Sequence, residues 1–164
     1  MVDIALINAA AYAARHELTL VERLGFGIHG TVHVVESKIK GDQSAIKAHR
    51  SAAAFRRELV AYERLKGARI VEVLGFHVPQ LIRADDDLQV IEMTIVTRPF
   101  VLDFAGAYLD ARPQFSDEVW AEWEAEKREQ FGDRWPAVRA ITEVLEGLNI
   151  YLVDISPSNI AFLD

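Results

Sequence analysis

The chain has 164 residues, 51% of them apolar and 26% charged, which is the balance of a folded globular protein and argues against wholesale disorder. It has no cysteine, which excludes disulfides, thiolate nucleophiles and cysteine-ligated zinc. Its net charge of −7 is uneven: residues 1–75 carry 11 basic against 8 acidic side chains and residues 76–164 carry 7 against 17, so nucleic acid would meet repulsion over most of the surface.

No apolar run reaches the length of a membrane span, and Met1-Val2-Asp3 lacks the basic start of a signal peptide, so a cytoplasmic protein without a membrane partner is expected. Asp3 is placed to cap a short, alanine-rich helix through about Arg15. Residues 18–22 alternate as a strand, a glycine turn interrupts them, and residues 31–36 give the returning strand. Gly41 and Asp42 form a turn before a third strand, residues 44–48, that carries Lys47. Residues 51–66 then place Phe55, Leu59, Tyr62 and Leu65 at helical spacing, with Gly67 as the stop. Glu58 lies beside that apolar stripe and can reach inward, whereas Glu63 falls further round the helix. The basic residues Arg56, Arg57, Arg64, Lys66 and Arg69 read as a solvated helix face.

Residues 71–74 and 78–82 read as a strand and its continuation, with Pro79 favouring an edge or a strand start. Asp85, Asp86 and Asp87 form a hairpin tip before a fifth strand at residues 88–94. Residues 101–109 suggest a short helix, ended by the break at Arg112-Pro113. A charged helix follows over residues 116–130, with Asp117 and Glu118 at its positive end and Trp120 and Trp123 as packing residues on one face. Pro136 opens a last helix whose stripe is Val138, Ile141, Val144, Leu145 and Leu148. Asp154 and Asn159 then stand five residues apart, with Pro157 fixing a turn between them.

Two groups of residues carry chemistry. Gly25, Gly27 and Gly30 fall in the order G-x-G-x-x-G, with Val32 two residues on, and glycines let backbone N–H groups approach phosphate oxygens that a Cβ would hold off. Lys47, closing the run Ala45-Ile46-Lys47, supplies a point charge on a neighbouring strand. In this order, and followed by D-x-x-x-x-N, these residues resemble the protein kinase-like family over roughly residues 18–164.

The resemblance implies an α+β, protein kinase-like fold. Residues 1–94 would form an upper lobe, an antiparallel five-stranded sheet with one glutamate-bearing helix, and residues 95–164 a minimal, truncated helical lower lobe ending in a catalytic-loop-like segment. It implies ATP and Mg²⁺ as cofactors, with Gly25, Gly27, Gly30 and Val32 over the nucleotide, Lys47 on its phosphates and Glu58 paired to Lys47. The end of the fifth strand would be the hinge, where Ile91 borders the adenine pocket and Glu92 and Thr94 offer backbone hydrogen bonds. Asp154 would be the catalytic base, and Asn159 the catalytic-loop amide that binds the metal.

Several positions depart from the family pattern. Ser44 stands where its lysine strand has valine, Leu152 and Val153 replace its histidine and arginine, and Ser156 stands where many members have lysine. The sequence stops at Asp164 before any D-F-G, so the partner strand of a hairpin begun by residues 160–163, and the second metal-binding aspartate, are expected to lie beyond it. A complete fold of this family needs roughly 250 residues.

The implied function is therefore a weak or inactive serine/threonine-type phosphotransferase that binds ATP. The alternative is a pseudokinase module that works as an interaction scaffold for a partner protein. A dinucleotide-binding domain is disfavoured, because its glycine loop opens a helix and residues 31–36 read as a strand. The five histidines show no metal-ligand spacing. With so little chain following it, the apolar stripe of the last helix is expected to need cover from a second copy, as a homodimer.

Overall fold

The computed structural model describes residues 1–164, and its elements follow the local chemistry of the sequence. Helix α1, Ile4–Arg15, starts where the Asp3 carboxylate accepts the Ala5 N–H at 3.1 Å. Strands β1 (Leu18–Phe26), β2 (Gly30–Ser37) and β3 (Gln43–His49) form an antiparallel meander. The glycines do not interrupt β1 as expected. Gly25 pairs with Val32 inside the strand, and two register shifts, between Leu20 and Glu22 and between Arg23 and Gly25, absorb the irregularity. The turn proper is residues 27–29, closed by the Gly27 N–H donating to Gly30 O at 2.9 Å. Helix α2, Ala52–Gly67, is capped by Ser51, whose hydroxyl accepts from Ala54 N–H.

The next residues form smaller pieces than the sequence suggests. Leu74 at φ 50° and Gly75 at φ 86° turn the chain sharply, so residues 71–78 yield only the two-residue hairpin β4 (Glu72–Val73) and β5 (Phe76–His77). Strands β6 (Leu81–Asp85) and β7 (Val90–Met93) flank the aspartate turn and complete a five-stranded antiparallel sheet in the order β1-β2-β3-β7-β6.

The helix expected over residues 101–109 does not form. Asp103 has φ 71°, outside the helical region, and the segment instead gives β8 (Phe100–Val101) and β9 (Tyr108–Leu109) around a tight turn. Helix α3 (Asp117–Phe131), one 3-10 turn (Gly132–Arg134) and helix α4 (Trp135–Glu146) follow, with Pro136 in the first turn of α4. Strand β10 (Ile150–Tyr151) pairs with β9, and β11 (Ile160–Ala161) pairs with β8. Residues 160 and 161 thus pair with an earlier segment of the chain, β8, a pairing the sequence did not suggest.

Both faces of the sheet are covered. On one, α1 packs Ala5, Ala9, Tyr12 and Ala13 against Val35, Ile46, Ala48 and Val90. On the other, α2 buries Phe55, Leu59, Tyr62 and Leu65 in a larger core shared with Ile91, Met93, Val101, Phe104 and the inner face of α4. Each such side chain contributes about 1.5–3 kcal/mol on burial. Of the α4 stripe, Val138, Ile141 and Leu145 lie in this core, Leu148 packs against it, and only Val144 is exposed. The uncovered stripe that motivated a homodimer is therefore absent. No helix is long and apolar enough to cross a membrane.

Candidate functional site

A cleft of about 150 Å³ opens between the sheet and the segment after β7. Its walls are apolar where Val32 and Ala45 face Leu102, with Met93 and Tyr62 deeper, and polar at one end, where Lys47, Glu58 and Asp103 meet. An adjoining recess joins Lys47 and Asp103 to residues 25–30, Asp154 and Ser158. The glycine turn and the 154–159 loop, 124 or more residues apart in sequence, therefore line one space.

Lys47 and Glu58 are brought together as expected. The ammonium of Lys47 lies 2.8 Å from Glu58 Oε2, with the two side chains 8% and 1% exposed. Glu58 also meets the buried His49, whose Nε2 is 3.1 Å from the same oxygen, while His49 Nδ1 stands 3.1 Å from Gln89 O. Both ring nitrogens thus face oxygen atoms. Burial alone would raise the Glu58 carboxyl, but the Lys47 charge and the His49 hydrogen bond outweigh it and bring it down to about 2. Burial likewise opposes the charge on Lys47, yet Glu58 and Asp103 hold its ammonium above the usual lysine range. The site keeps an ion pair out of water, which is costly unless each charge is met.

The glycine turn is held from below by Arg50. Its guanidinium donates to Gly27 O and, at 3.2 Å, to Gly30 O, and reaches Asp3 Oδ2 at 2.6 Å. Gly30 is also the glycine that packing requires, since a Cβ there would fall 2.1 Å from Ala48 O. Gly25 and Gly27 have nothing within 4 Å of that position, so the space above them is open.

The end of β7 differs from expectation. Ile91 is buried in the core, and Met93 lines the cleft in its place. Glu92 points to the opposite face: its carboxylate accepts from Tyr12 Oη at 2.7 Å, Ser44 Oγ at 2.8 Å and Arg83 Nε at 2.5 Å, and its backbone lies inside the sheet between Ile46 and Arg83. Burial pushes that carboxyl up, but the three hydrogen bonds together hold it below the usual range. Thr94 lines the cleft, but its N–H already donates to Gln80 O at 2.9 Å. Ile95 and Val96, which also line the cleft, have backbone N–H groups without a partner within the chain. Ser44, the residue that departs from the valine pattern, is explained by the bond to Glu92.

Across the cleft, Asp154 is exposed between the buried Leu152 and Ile155. Leu152, one of the departures from the family pattern, belongs to the core. Asn159 fastens the loop: its Nδ2 donates to Asp154 O at 3.0 Å, and its Oδ1 accepts the Ser156 N–H at 2.7 Å, which leaves one lone pair. Trp123 holds the same loop from α3 by donating its indole N–H to Val153 O at 2.9 Å. The oxygen donors on this recess, Asp103 and Asp154, with Asn159 on the same loop as Asp154, suit a hard cation such as Mg²⁺, which takes one or two carboxylates and fills its other positions with water and substrate phosphate. No group of three His, Cys, Asp or Glu side chains forms a ready cage.

Three functional neighbours escaped sequence reasoning. Arg50 and His49 carry no motif signal. Asp103, whose Oδ1 lies 2.9 Å from Lys47 Nζ, had one: it is the only charged residue in the otherwise apolar run from Phe100 to Leu109. The basic residues of α2 also serve as tethers, with Arg57 donating to Ala105 O, Lys66 to Leu81 O, and Arg64 to Asn149 O and Asp110.

No family model matches the chain, and no curated protein is similar to it.

Proposed function

We propose that the chain has a kinase-like fold and binds ATP in this cleft. The observation that carries the reading is the Lys47–Glu58 pair, sealed at 2.8 Å at the end of an apolar slot and facing an open glycine turn. In this reading an adenine ring would lie between Val32, Ala45 and Leu102, with the unpaired N–H groups of Ile95 and Val96 among the cleft's residues, and the phosphates toward Lys47 and the turn. Lys47 keeps a third ammonium proton free of its two carboxylate partners, and that proton can meet a phosphate oxygen.

For phosphoryl transfer, an acceptor hydroxyl attacks the γ-phosphorus, its proton passes to the Asp154 carboxylate, and the bond from phosphorus to ADP breaks. Asn159 Oδ1 would take part in holding Mg²⁺, which neutralises phosphate charge when bound. One observation favours slow or absent turnover, and with it the alternative of a nucleotide-binding interaction module: Lys47 and Asn159 Oδ1 are both already engaged within the chain.

Titration calorimetry with ATP tests the reading. Lys47→Ala should weaken binding by about tenfold or more, the loss of a charge-assisted contact. Equal affinity in wild type and Lys47→Ala would overturn it. ADP release that Asp154→Asn abolishes would select the enzyme over the binding module.

A further inference from the structure

We propose that Asp103 is the metal-binding carboxylate of the cleft, delivered by the segment between β8 and β9. This rests on the nucleotide reading above and deepens it. Asp103 Oδ1 is engaged by Lys47 at 2.9 Å, while Oδ2 has no hydrogen-bond partner in the chain, and the side chain is 36% exposed on the cleft. One oxygen is fixed and the other is offered to the phosphate end.

The backbone brings Asp103 beside the other candidate ligand. Val101 pairs with Ile160, and the Leu102 N–H donates to Asn159 O at 2.9 Å. Asp103 and Asn159 therefore leave one strand pair at the same end. The φ of 71° at Asp103 is an unusual conformation for a residue with a side chain, and the flanking Val101, Phe104 and Ala105, all fully buried, hold it there. The carboxylate is thus aimed before any ligand arrives.

Charge makes a cation necessary. Lys47 is the only basic side chain among the residues lining both parts of the cleft apart from His29, and Glu58 and Asp103 already oppose it. A triphosphate placed there meets Glu58, Asp103 and Asp154, three carboxylates against the one ammonium of Lys47, and that net negative charge repels it across a few ångströms. A divalent ion shared between Asp103 and the phosphates turns that repulsion into attraction. Asp103 acting solely as counter-ion to Lys47 would give no such dependence on metal.

The experiment is ATP titration with and without Mg²⁺ on wild type, Asp103→Asn and Asp103→Glu, together with Mn²⁺ binding followed by its paramagnetic resonance signal in the presence of ATP. In wild type Mg²⁺ should strengthen ATP binding by about tenfold or more. In Asp103→Asn that enhancement should vanish while metal-free affinity holds or rises, bound Mn²⁺ should be lost, and Asp103→Glu should restore part of both. An enhancement unchanged in Asp103→Asn, or an equal loss of affinity with and without metal, overturns the inference and leaves nucleotide binding standing. A wild type that binds no ATP under either condition overturns both.

Discussion

A Cβ on Gly30 would collide with the carbonyl of Ala48, because the pairing of β2 with β3 sets the two backbones against each other at that point. The three glycines of the turn therefore have different reasons to be glycine. Gly30 answers to packing inside the chain, and Gly25 and Gly27 border open space.

Substituting them separates these roles. Gly30→Ala should lower stability by about 1–3 kcal/mol, the cost of overpacking against backbone that cannot yield. Gly25→Ala and Gly27→Ala should stay within about 0.5 kcal/mol of wild type yet bind ATP more weakly, since the added methyl occupies the phosphate approach. Urea denaturation and ATP titration of the three variants check both halves.

Acid should loosen the site through Glu58. Its carboxyl lies at about 2 in the folded chain against an ordinary value of 4.5, so the stability it contributes is complete above 4.5 and is lost as pH falls from there toward 2. The size is on the order of 3 kcal/mol. Glu58→Gln should be destabilised at pH 7 by about 3 kcal/mol and show a flatter stability profile between pH 5 and about 3, which denaturation at a series of pH values measures.

The network at Glu92 belongs to α1 docking. Tyr12→Phe removes a buried hydrogen bond to a carboxylate and should cost about 1.5–3 kcal/mol. Because Glu92 faces away from the cleft, ATP affinity in the folded variant should match wild type. A Tyr12→Phe protein that keeps its stability but loses nucleotide would contradict this division of the two faces.

Trp123 tethers the Asp154 loop. Trp123→Phe keeps the ring in place but leaves Val153 O without its donor, worth about 1 kcal/mol, or about fivefold in local opening. Hydrogen exchange at Ser156 and Asn159 should quicken by that factor while the amides of β3 remain protected.

What was legible in the sequence was what local pattern dictates. The cap at Asp3, the alternation of β2 and β3, and the stripe of Phe55, Leu59, Tyr62 and Leu65 all gave their elements; helical position placed Glu58 on the inward side, and the family resemblance supplied its pairing with Lys47. Non-local competition hid the rest. The 101–109 run is helical by composition, but Val101 is taken by Ile160 and Tyr108 by Tyr151, so tertiary pairing overrides propensity. Glu92 could not be assigned to a face, because nothing in its own strand reveals that Tyr12, Ser44 and Arg83 converge on the far side. Arg50 and His49 act through carbonyls and carboxylates that are distant in sequence, and no spacing rule reports those.

Strand β3 is buried along nearly its whole length, with Ser44, Ile46 and Ala48 turned toward α1 and Ala45, Lys47 and His49 toward the cleft and α2. Such a strand cannot be mispaired by one position without exchanging its two sides. A slip would drive the Lys47 ammonium in among Ala9 and Tyr12, where no carboxylate is spare, and would carry Ile46 out beside Glu58. The cost of that stranded charge, several kcal/mol, makes the lysine a register lock during folding, one that discriminates among strand alignments before any ligand reaches the finished protein.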